Sequence, residues 1–406
     1  MITDRQAGRP DPREGTWRPG YPVAAGVFAI GMAGTTLPTP LYGLYRAQLG
    51  FSELMVTVVF AVYALGVITV LLLAGNVSDA VGRRPVLFWA LALSAASALC
   101  FLFEGGLPML LLGRVLSGFA AGLFSGAATA AVLELAKPGQ EARAGFAATA
   151  ANMGGLGCGP LLSGLLAQYA PWPLALPFVV HLGLLALAAV ATWLLPETVA
   201  PAHRTRGLRP QRLHVPPEVR GVFTPSAIAA FAGFALLGLF TAVAPSFVGQ
   251  TLGVHNLAVA GAIVFTVFLG STVGQALSGR IGVRWALPAG CLVLVIGLAL
   301  VAASLAVTAL PVLVAGAVCG GIGQGLAFRA GLTAVGHAAP PAHRGGTISA
   351  FFLVAYFGIS LPVVGVGALT EVLGLRGAGL TFSACVIAVA IAVGLYVLRR
   401  PPQGVD

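Results

Sequence analysis

The chain alternates between long apolar stretches and short polar or Gly/Pro-rich breaks along almost its whole length. Because about 20 consecutive apolar residues can cross a bilayer as a helix, this pattern predicts a series of membrane-spanning helices. No stretch keeps the two-residue alternation that is typical of membrane β-barrel strands. The predicted helices cover residues 23–46, 53–75, 85–103, 107–135, 143–169, 174–195, 224–249, 256–279, 285–308, 311–336, 346–369 and 376–398.

Composition and charge agree with this class, since 58% of the residues are hydrophobic and 8% are charged. With twelve crossings, most of the 22 lysines and arginines fall on the side that carries both termini. The positive-inside rule makes that side cytoplasmic. The formal net charge of +10 then reflects topology, and no soluble basic domain is left to bind nucleic acid. The preference for arginine over lysine suggests a bacterial source. Together with the charge distribution, it leads us to predict a multi-pass inner-membrane protein with both termini in the cytoplasm.

One long polar segment, residues 199–222, divides the apolar chain into two halves of six predicted helices each. The predicted organisation is a tail (1–22), a first helical bundle (23–198), the central loop (199–222), a second bundle (223–398) and a tail (399–406). The halves share a glycine pattern, which at one offset pairs Gly118 with Gly321 and Gly122 with Gly325, and at another pairs Arg143 with Arg344, Gly157 with Gly358 and Gly164 with Gly365. Internal repeats of this kind occur in transporters.

The polar loop after the second predicted helix reads GNVSDAVGRR, from Gly75 to Arg84. Gly82 permits a tight helix end, and Asp79 can accept hydrogen bonds from free N–H groups at a helix start. Arg83 and Arg84 are basic anchors for the headgroup region. This spacing resembles the signature loop between helices 2 and 3 of the major facilitator superfamily.

Three further segments resemble motifs of that superfamily. In the fourth helix, Arg114 precedes two glycines, and the family arginine at this place faces the central cavity and is linked to proton exchange. The alternative is that Arg114 snorkels to the extracellular surface. The segment Leu195-Pro196-Glu197-Thr198 resembles the segment that follows the sixth helix in the family. It is interpreted as marking the end of the first half. In the fifth helix, Gly155, Gly159, Pro160 and Gly164 resemble the motif of drug-exporting antiporters.

Small residues recur every four positions in the fifth and eighth helices. Gly155 and Gly159 belong to one such groove, and Gly270 and Gly274 belong to the other. Grooves of this kind let helix backbones approach closely. In the superfamily, helices 5 and 8 meet between the two halves, so the resemblance implies that these two grooves face each other.

Arg114 and Arg329 lie inside predicted helices, and no carboxylate is available at matching depth. A cavity with this imbalance favours anions, unless Arg329 snorkels to the cytoplasm. In the first helix, Pro38 and Pro40 should break the backbone beside Tyr42, as a substrate-facing segment or as a simple kink. The hypothesised hydrogen-bond partners of a substrate are Tyr42, Tyr63, Asn152, Gln275, Gln324 and Tyr356.

The resemblance implies an all-α protein with two six-helix bundles that exports an amphipathic small molecule by alternating access, in exchange for protons. Uptake or facilitated diffusion of a small metabolite or organic anion is the alternative. Glu134, Asp79 and His181 are the candidate proton-binding groups. We expect no enzyme chemistry, cofactor or metal, because neither clustered nucleophiles nor ligand spacings are present. The expected partners are a small-molecule substrate and the bilayer, with the chain as a monomer.

Overall fold

The computed structural model describes residues 20–199 and 213–399, in which the regular elements are all helical. The last helical run, Arg344–Arg399, kinks at Gly374, and its two parts are α11 (344–373) and α12 (375–399). The other long helices are α1 (Tyr21–Thr36, continued by Thr39–Leu41 and Tyr42–Leu49), α2 (Glu53–Leu73), α3 (Arg83–Leu102), α4 (Leu107–Glu134), α5 (Glu141–Tyr169), α6 (Leu176–Leu194), α7 (Pro217–Thr251), α8 (Leu257–Ile281), α9 (Val283–Val307) and α10 (Leu310–Ala338).

The helix bounds agree with the sequence-based helices to within a few residues, except that α7 begins earlier than predicted. In the described part of the chain, ten helical runs are long and apolar enough to cross a membrane, with Arg344–Arg399 counted once. Helix α5 is not among them, because its many small and polar residues lower its hydropathy. Most of the predicted tails and central loop, at 1–19, 200–212 and 400–406, lies outside the described residues.

Glycines in positive-φ conformations close equivalent turns in the two halves. Gly50 (φ 71°) ends α1 and Gly253 (φ 67°) follows α7, whereas Gly82 (φ 117°) and Gly282 (φ 83°) precede α3 and α9. These values favour glycine because a Cβ would be strained there. We call the end of the molecule where α1 begins the Tyr21 end, and the end where α1 meets α2 the Gly50 end.

Helices α1 and α7 both lose regular α-helical geometry as they approach the Gly50 end. The first α-helical part of α1 ends at Thr36, as predicted, because Pro38 and Pro40 lack the N–H groups that would continue the ladder. Helix α7 instead contains two π-helical turns, at Leu239–Val243 and Phe247–Thr251.

The same close helix contacts recur in both halves. A Cβ on Gly118 of α4 would lie 2.9 Å from the Gly66 Cα of α2, and one on Gly155 of α5 would lie 3.0 Å from the Ala29 Cα of α1. In the second half, Gly270 of α8 meets Gly321 of α10 at 3.3 Å by the same measure. Helix α7 packs on α11 in the second half, as α1 packs on α5 in the first half.

The equivalent contacts correct part of the predicted repeat. The pairing of Gly118 with Gly321 is supported, because both pack on the neighbouring helix in the same way. The pairings of Gly157 with Gly358 and Gly164 with Gly365 are wrong by two residues. Gly155 packs on α1 as Gly358 packs on α7, and Gly164 and Gly367 both contact the opposite half. The error came from aligning Arg143 with Arg344, whereas the helix starts align Glu141 with Arg344.

Helices α5 and α8 do contact each other between the two halves, but through other faces than predicted. A Cβ on Gly164 would lie 3.3 Å from the Ala258 Cα, and one on Gly261 would lie 2.9 Å from the Pro160 carbonyl carbon. The predicted grooves face elsewhere: Gly155 and Gly159 pack on α1, whereas Gly270 and Gly274 pack on α10. A four-residue repeat indicates a close approach, but it does not identify the partner helix.

Candidate functional site

A cavity of about 460 Å³ lies between the two halves of the molecule. Of the side chains expected to contact a substrate, Tyr63, Asn152, Gln275 and Tyr356 line it, together with Arg114 and Arg329. Tyr42 lies instead on a separate pocket near the Gly50 end. Gln324 is fully buried in α10 beside Gly233 and is not among the residues that line either pocket.

The cavity extends toward the Tyr21 end, where Leu133, Gly145 and Ile348 line it. Leu133 lies at the end of α4, whereas Gly145 and Ile348 lie in the first turns of α5 and α11. Within the described residues, the cavity between the halves therefore reaches the Tyr21 end.

At the Gly50 end, by contrast, the halves are joined by side chains around Glu53. This carboxylate pairs with Arg46 at 2.5 Å and accepts hydrogen bonds from Ser246 Oγ at 3.1 Å and from Gln250 Nε2 at 2.5 Å. Since Arg46 and Glu53 belong to the first half and the other two residues to α7, Glu53 connects the halves. Sequence reasoning did not single out Glu53 and missed this contact.

A second pair of contacts closes the same end between α5 and α8. Gln168 Oε1 accepts a hydrogen bond from the Leu257 amide at 2.8 Å, and Asn256 Nδ2 donates to the Tyr169 hydroxyl at 3.2 Å. Asn256 also caps α8 by accepting from the Ala258 amide. The Gly50 end is thus closed while the Tyr21 end is open.

Arg114 is held inside the first half, with 1% of its surface exposed. Its Nη1 donates to the Thr35 carbonyl at 2.5 Å and its guanidinium lies 4.8 Å from the Tyr63 ring centroid. Thr35 lies in the last turn of the first α-helical part of α1, just before the predicted break. Snorkelling to the surface is excluded by this burial. The Nε atom has no hydrogen-bond partner among the residues that the structure describes.

Arg329 differs from Arg114 because its side chain is exposed within the cavity. It makes no hydrogen bond or ion pair with any residue in 20–199 or 213–399. The residues that line the cavity include no aspartate or glutamate within these described ranges. Among the described residues, the cavity wall therefore carries two arginines and no acidic side chain.

Aromatic side chains form much of the remaining cavity wall. The Phe234 and Phe328 ring centroids are 5.2 Å apart, and Phe352 lies 5.9 Å from Phe328. Tyr356 contacts Phe234 at 6.1 Å and Tyr63 of the opposite half at 6.5 Å. We call Phe234, Phe328, Phe352 and Tyr356 the aromatic cluster. Sequence reasoning found only Tyr356, because phenylalanines are unremarkable in an apolar helix.

The loop between α2 and α3 lies at the Tyr21 end and is organised by Arg83. This guanidinium pairs with Asp79 at 2.6 Å and with Glu134 of α4 at 2.8 Å, and it donates to Ser78 Oγ at 2.6 Å. The loop begins at Gly75, in the turn after α2. Of the residues singled out from the sequence, the structure thus brings together Asp79, Arg83 and Glu134.

The cap of α3 is Glu197, which corrects the expectation that Asp79 accepts from a helix start. Glu197 accepts from the Arg83 and Arg84 amides at 2.9 and 3.1 Å, as a carboxylate at a helix N-terminus is favoured to do. Beside it, Thr198 donates to Glu134 at 2.5 Å. Arg84 donates to the Trp193 carbonyl at 2.6 Å. The segment interpreted as a boundary marker therefore ties α6 to α3 and α4.

His181 lies away from the cavity lining and from this loop. It is 1% exposed in α6, and its Nε2 is 3.5 Å from Ser94 Oγ of α3. A Cβ on Gly34 of α1 would touch the imidazole ring. The three candidate proton-binding groups are thus divided between a packed helix interface and the Arg83 loop.

The chain is similar in sequence to known proteins. The family model described as Major Facilitator Superfamily matches residues 23–291 and 255–406. The "Putative multidrug resistance protein MdtD" of Escherichia coli (strain K12) is 31% identical over 173 residues, which are 43% of this chain and 36% of that protein. The protein of the same name from Shigella sonnei (strain Ss046) gives the same values. The match therefore spans well under half of these relatives.

Solved structures match nearly the whole chain. A bacterial homolog of the human lysosomal transporter Spinster, in an inward-facing and unoccupied conformation, has a TM-score of 0.70 at 15% identity, covering 93% of this chain and 97% of that one. The peptide transporter POT in complex with sulfate has a TM-score of 0.76 at 13% identity, covering 94% of both chains. At this identity the likeness shows a common fold.

Proposed function

The chain belongs to the major facilitator superfamily, and we propose that it is a secondary transporter that exports a small amphipathic organic molecule by alternating access. The observation that carries this proposal is a cavity between the halves that extends to one end of the molecule while side chains close the other. A transporter of this kind exposes its binding site to each side in turn. The state described is the one in which the Tyr21 end is open.

We propose further that the helices cross the membrane twelve times, as two bundles of six, with the Tyr21 end in the cytoplasm. The excess of arginine near that end supports this orientation, as does the recurrence of helix contacts in both halves. Reporter fusions within the 199–221 loop and after Arg400 test the topology. Both should report a cytoplasmic location, and an external signal from either would overturn it.

Export is favoured over uptake by two observations. The α5 segment with Gly155, Gly159 and Pro160 resembles the antiporter motif, and the α5 face with Pro160 and Gly164 packs directly on α8. The partial relative is named for multidrug resistance. The alternative, uptake or facilitated diffusion of a small metabolite, uses the same fold and cavity and differs in driving force and direction.

Exchange for protons is the proposed driving force. No carboxylate lines the cavity within the described residues, so proton binding would act through groups outside it. Glu134 and Asp79 are suited to this role because both bind Arg83, and neutralising either would loosen the loop that joins α2 to α3. No cofactor is required by this mechanism.

The export proposal is tested in a pump-deficient bacterial host that expresses the protein. Expression should lower the accumulation of at least one of a panel of amphipathic compounds, and a protonophore should restore it. An expressed variant with Gly159→Leu, which would force a side chain into the α1 backbone, is the matched control. Accumulation that rises with expression would support the uptake alternative, and persistence of export with protonophore would overturn proton coupling.

A further inference from the structure

We propose that the substrate is an amphipathic organic anion whose carboxylate or sulfonate binds Arg329 while its apolar part lies on the aromatic cluster. This inference rests on the transport function proposed above and specifies the class of molecule carried. It follows from the distribution of charge, hydrogen bonds and aromatic surface around one cavity.

The first step is the charge balance of the cavity wall. Arg114 and Arg329 are the charged side chains among its lining residues in the described ranges. A cation inside a membrane protein is costly when it lacks a counter-charge. A cavity lined by one sign of charge concentrates ligands of the opposite sign. The wall therefore favours an anion and repels a lipophilic cation.

The second step separates the roles of the two arginines. Arg114 directs Nη1 to the Thr35 carbonyl and Nη2 to the Phe60 carbonyl at 3.4 Å, and it lies against the Tyr63 ring. Its hydrogens are thus largely occupied by α1 and α2. Arg329 has no such partner in the described residues and is exposed to the cavity. Arg114 contributes positive potential, whereas Arg329 is the side chain with donors available to a ligand.

The third step concerns the apolar part of the ligand. Phe328 immediately precedes Arg329 in α10, and its ring packs against Phe234 in a tilted arrangement and against Phe352 edge-on. Phenylalanine faces provide dispersion contacts but no hydrogen bonds. A small inorganic anion would leave this surface without a partner. An acid with an aryl or alkyl body satisfies both features, and a cavity of about 460 Å³ is within the range for small-molecule sites.

The charge preference can be measured on the purified full-length protein in phosphatidylcholine nanodiscs, where no anionic lipid competes. The probes are charge-matched sets on three apolar bodies, butylphenyl, naphthyl and decyl, each carrying a carboxylate, a primary amide or a trimethylammonium group. Binding is followed by the rise in thermal unfolding midpoint and by calorimetric titration. Within at least one set the carboxylate should bind about tenfold more tightly than the amide, as expected for one charge-assisted contact.

The variants assign this preference to Arg329. Arg329→Gln should lower carboxylate affinity about tenfold, to the level of the amide, and Arg329→Lys should keep most of the preference because it keeps the charge. Phe352→Ala should weaken acid and amide alike. Arg280→Gln removes an exposed arginine at the end of α8, away from the cavity lining, and should change nothing.

Three results would overturn the proposal: tighter binding of trimethylammonium probes, no binding of any carboxylate, or an unchanged acid preference in Arg329→Gln. None of these would affect the export assay, because compounds of another charge could still be transported in the pump-deficient host. Conversely, carboxylate binding without any transport would support the site and contradict the proposed function. The two proposals therefore fail separately.

Discussion

The two halves share their helix contacts but differ in their charges at the Tyr21 end. In the first half, Arg83 joins Asp79 and Glu134. In the second half, Gly279 stands where the aspartate would be, and Arg284 lies 5.6 Å from the ring of its neighbour Trp285. The offset of 203 residues that superimposes the glycine contacts also places His337 at the position of Glu134 and Ala317 at that of Arg114.

The cavity shows the opposite asymmetry. The second half supplies Arg329 and the whole aromatic cluster, whereas the first half contributes the buried Arg114 together with Tyr63 and Asn152. The two halves, which share their helix contacts, thus differ in two respects. One half carries the ionic contacts that fix helix ends, and the other carries most of the surface proposed to contact the substrate.

Substitutions at the helix contacts that both halves share should have the largest effects. The loss of stability should be equal in the two halves. Gly118→Ala and Gly321→Ala each place a Cβ against the backbone of a neighbouring helix. Overpacking of this kind should destabilise the protein by about 2 kcal/mol. The thermal unfolding midpoint and the yield of monodisperse protein should both fall.

Gly126→Ala and Gly336→Ala are the controls on the same two helices, since nothing lies within 4 Å of a Cβ at either position. They should be neutral or slightly stabilising, because alanine is the better helix former. If Gly118→Ala and Gly321→Ala destabilised the protein to clearly different extents, the structural equivalence of the two halves would be contradicted.

Removing the ionic contacts of Arg83 should have the next largest effect on stability and export, and this effect should be confined to the first half. Arg83→Gln removes a side chain that is 11% exposed and leaves Glu134 without its cation, which should cost on the order of 2 kcal/mol. Substrate export should fall by about tenfold or more. In the second half Val283 stands at the position of Arg83, so the control is Arg284→Gln, which changes the arginine that aligns with Arg84 and should retain export and stability. Equal losses would contradict the proposed specialisation.

The closed Gly50 end gives a smaller effect because several contacts hold it. Glu53→Gln removes the ion pair with Arg46, although hydrogen bonds to Ser246 and Gln250 can persist. The population open at this end should increase severalfold. A cysteine at Gly249, in a chain without its native cysteines, should then react faster with an impermeant maleimide.

Glu104→Gln is the matched control for this end, since Glu104 bonds only Gln48 of its own half among the hydrogen bonds of the described residues. Its variant should leave the maleimide reaction rate unchanged. A rate increase as large as that of Glu53→Gln would show that the connection between halves is not what matters.

Asp79→Asn should have the smallest effect, because this carboxylate is 52% exposed and Arg83 retains Glu134. Export should fall severalfold while the amount of folded protein and its unfolding midpoint stay the same. Gly279→Asp places a carboxylate in the corresponding loop and should not alter export. Normal export by a well-expressed Asp79→Asn variant would contradict a role for this charge.

The fold was largely predictable because apolar length, glycine spacing and proline position act locally. The break of α1 at Pro38 and the kink near Gly374 are examples. The helix that packs against each groove was not predictable. The positions of Gly155 and Gly270 indicate that another helix approaches closely, but they do not identify which helix it is. The resemblance supplied the correct helices, α5 and α8, but the wrong faces of them.

The candidate site was predicted only in part, for a related reason. Arg114 and Tyr356 stood out because charge and hydroxyl groups are rare within apolar helices. Phe234 and Phe352 did not, because nothing in the sequence separates a phenylalanine in a cavity wall from one facing lipid. The contacts of Glu53 and Glu197 were not predicted, because their partners Ser246 and Arg83 are 193 and 114 residues away in the chain.

The glycine contacts between helices have a consequence for how this protein can evolve. Where Gly118 meets Gly66 and Gly270 meets Gly321, backbones touch and no side chain contributes. Such positions admit almost no variation, whereas residues facing lipid need only remain apolar. Most of the chain is therefore free to drift, and chains with 13% identity can keep the same fold at a TM-score of 0.76. A saturation library of α4 and α8 should show its strongest intolerance at Gly118, Gly270 and Gly274, whereas Gly126 should accept alanine and positions facing lipid should accept other apolar residues.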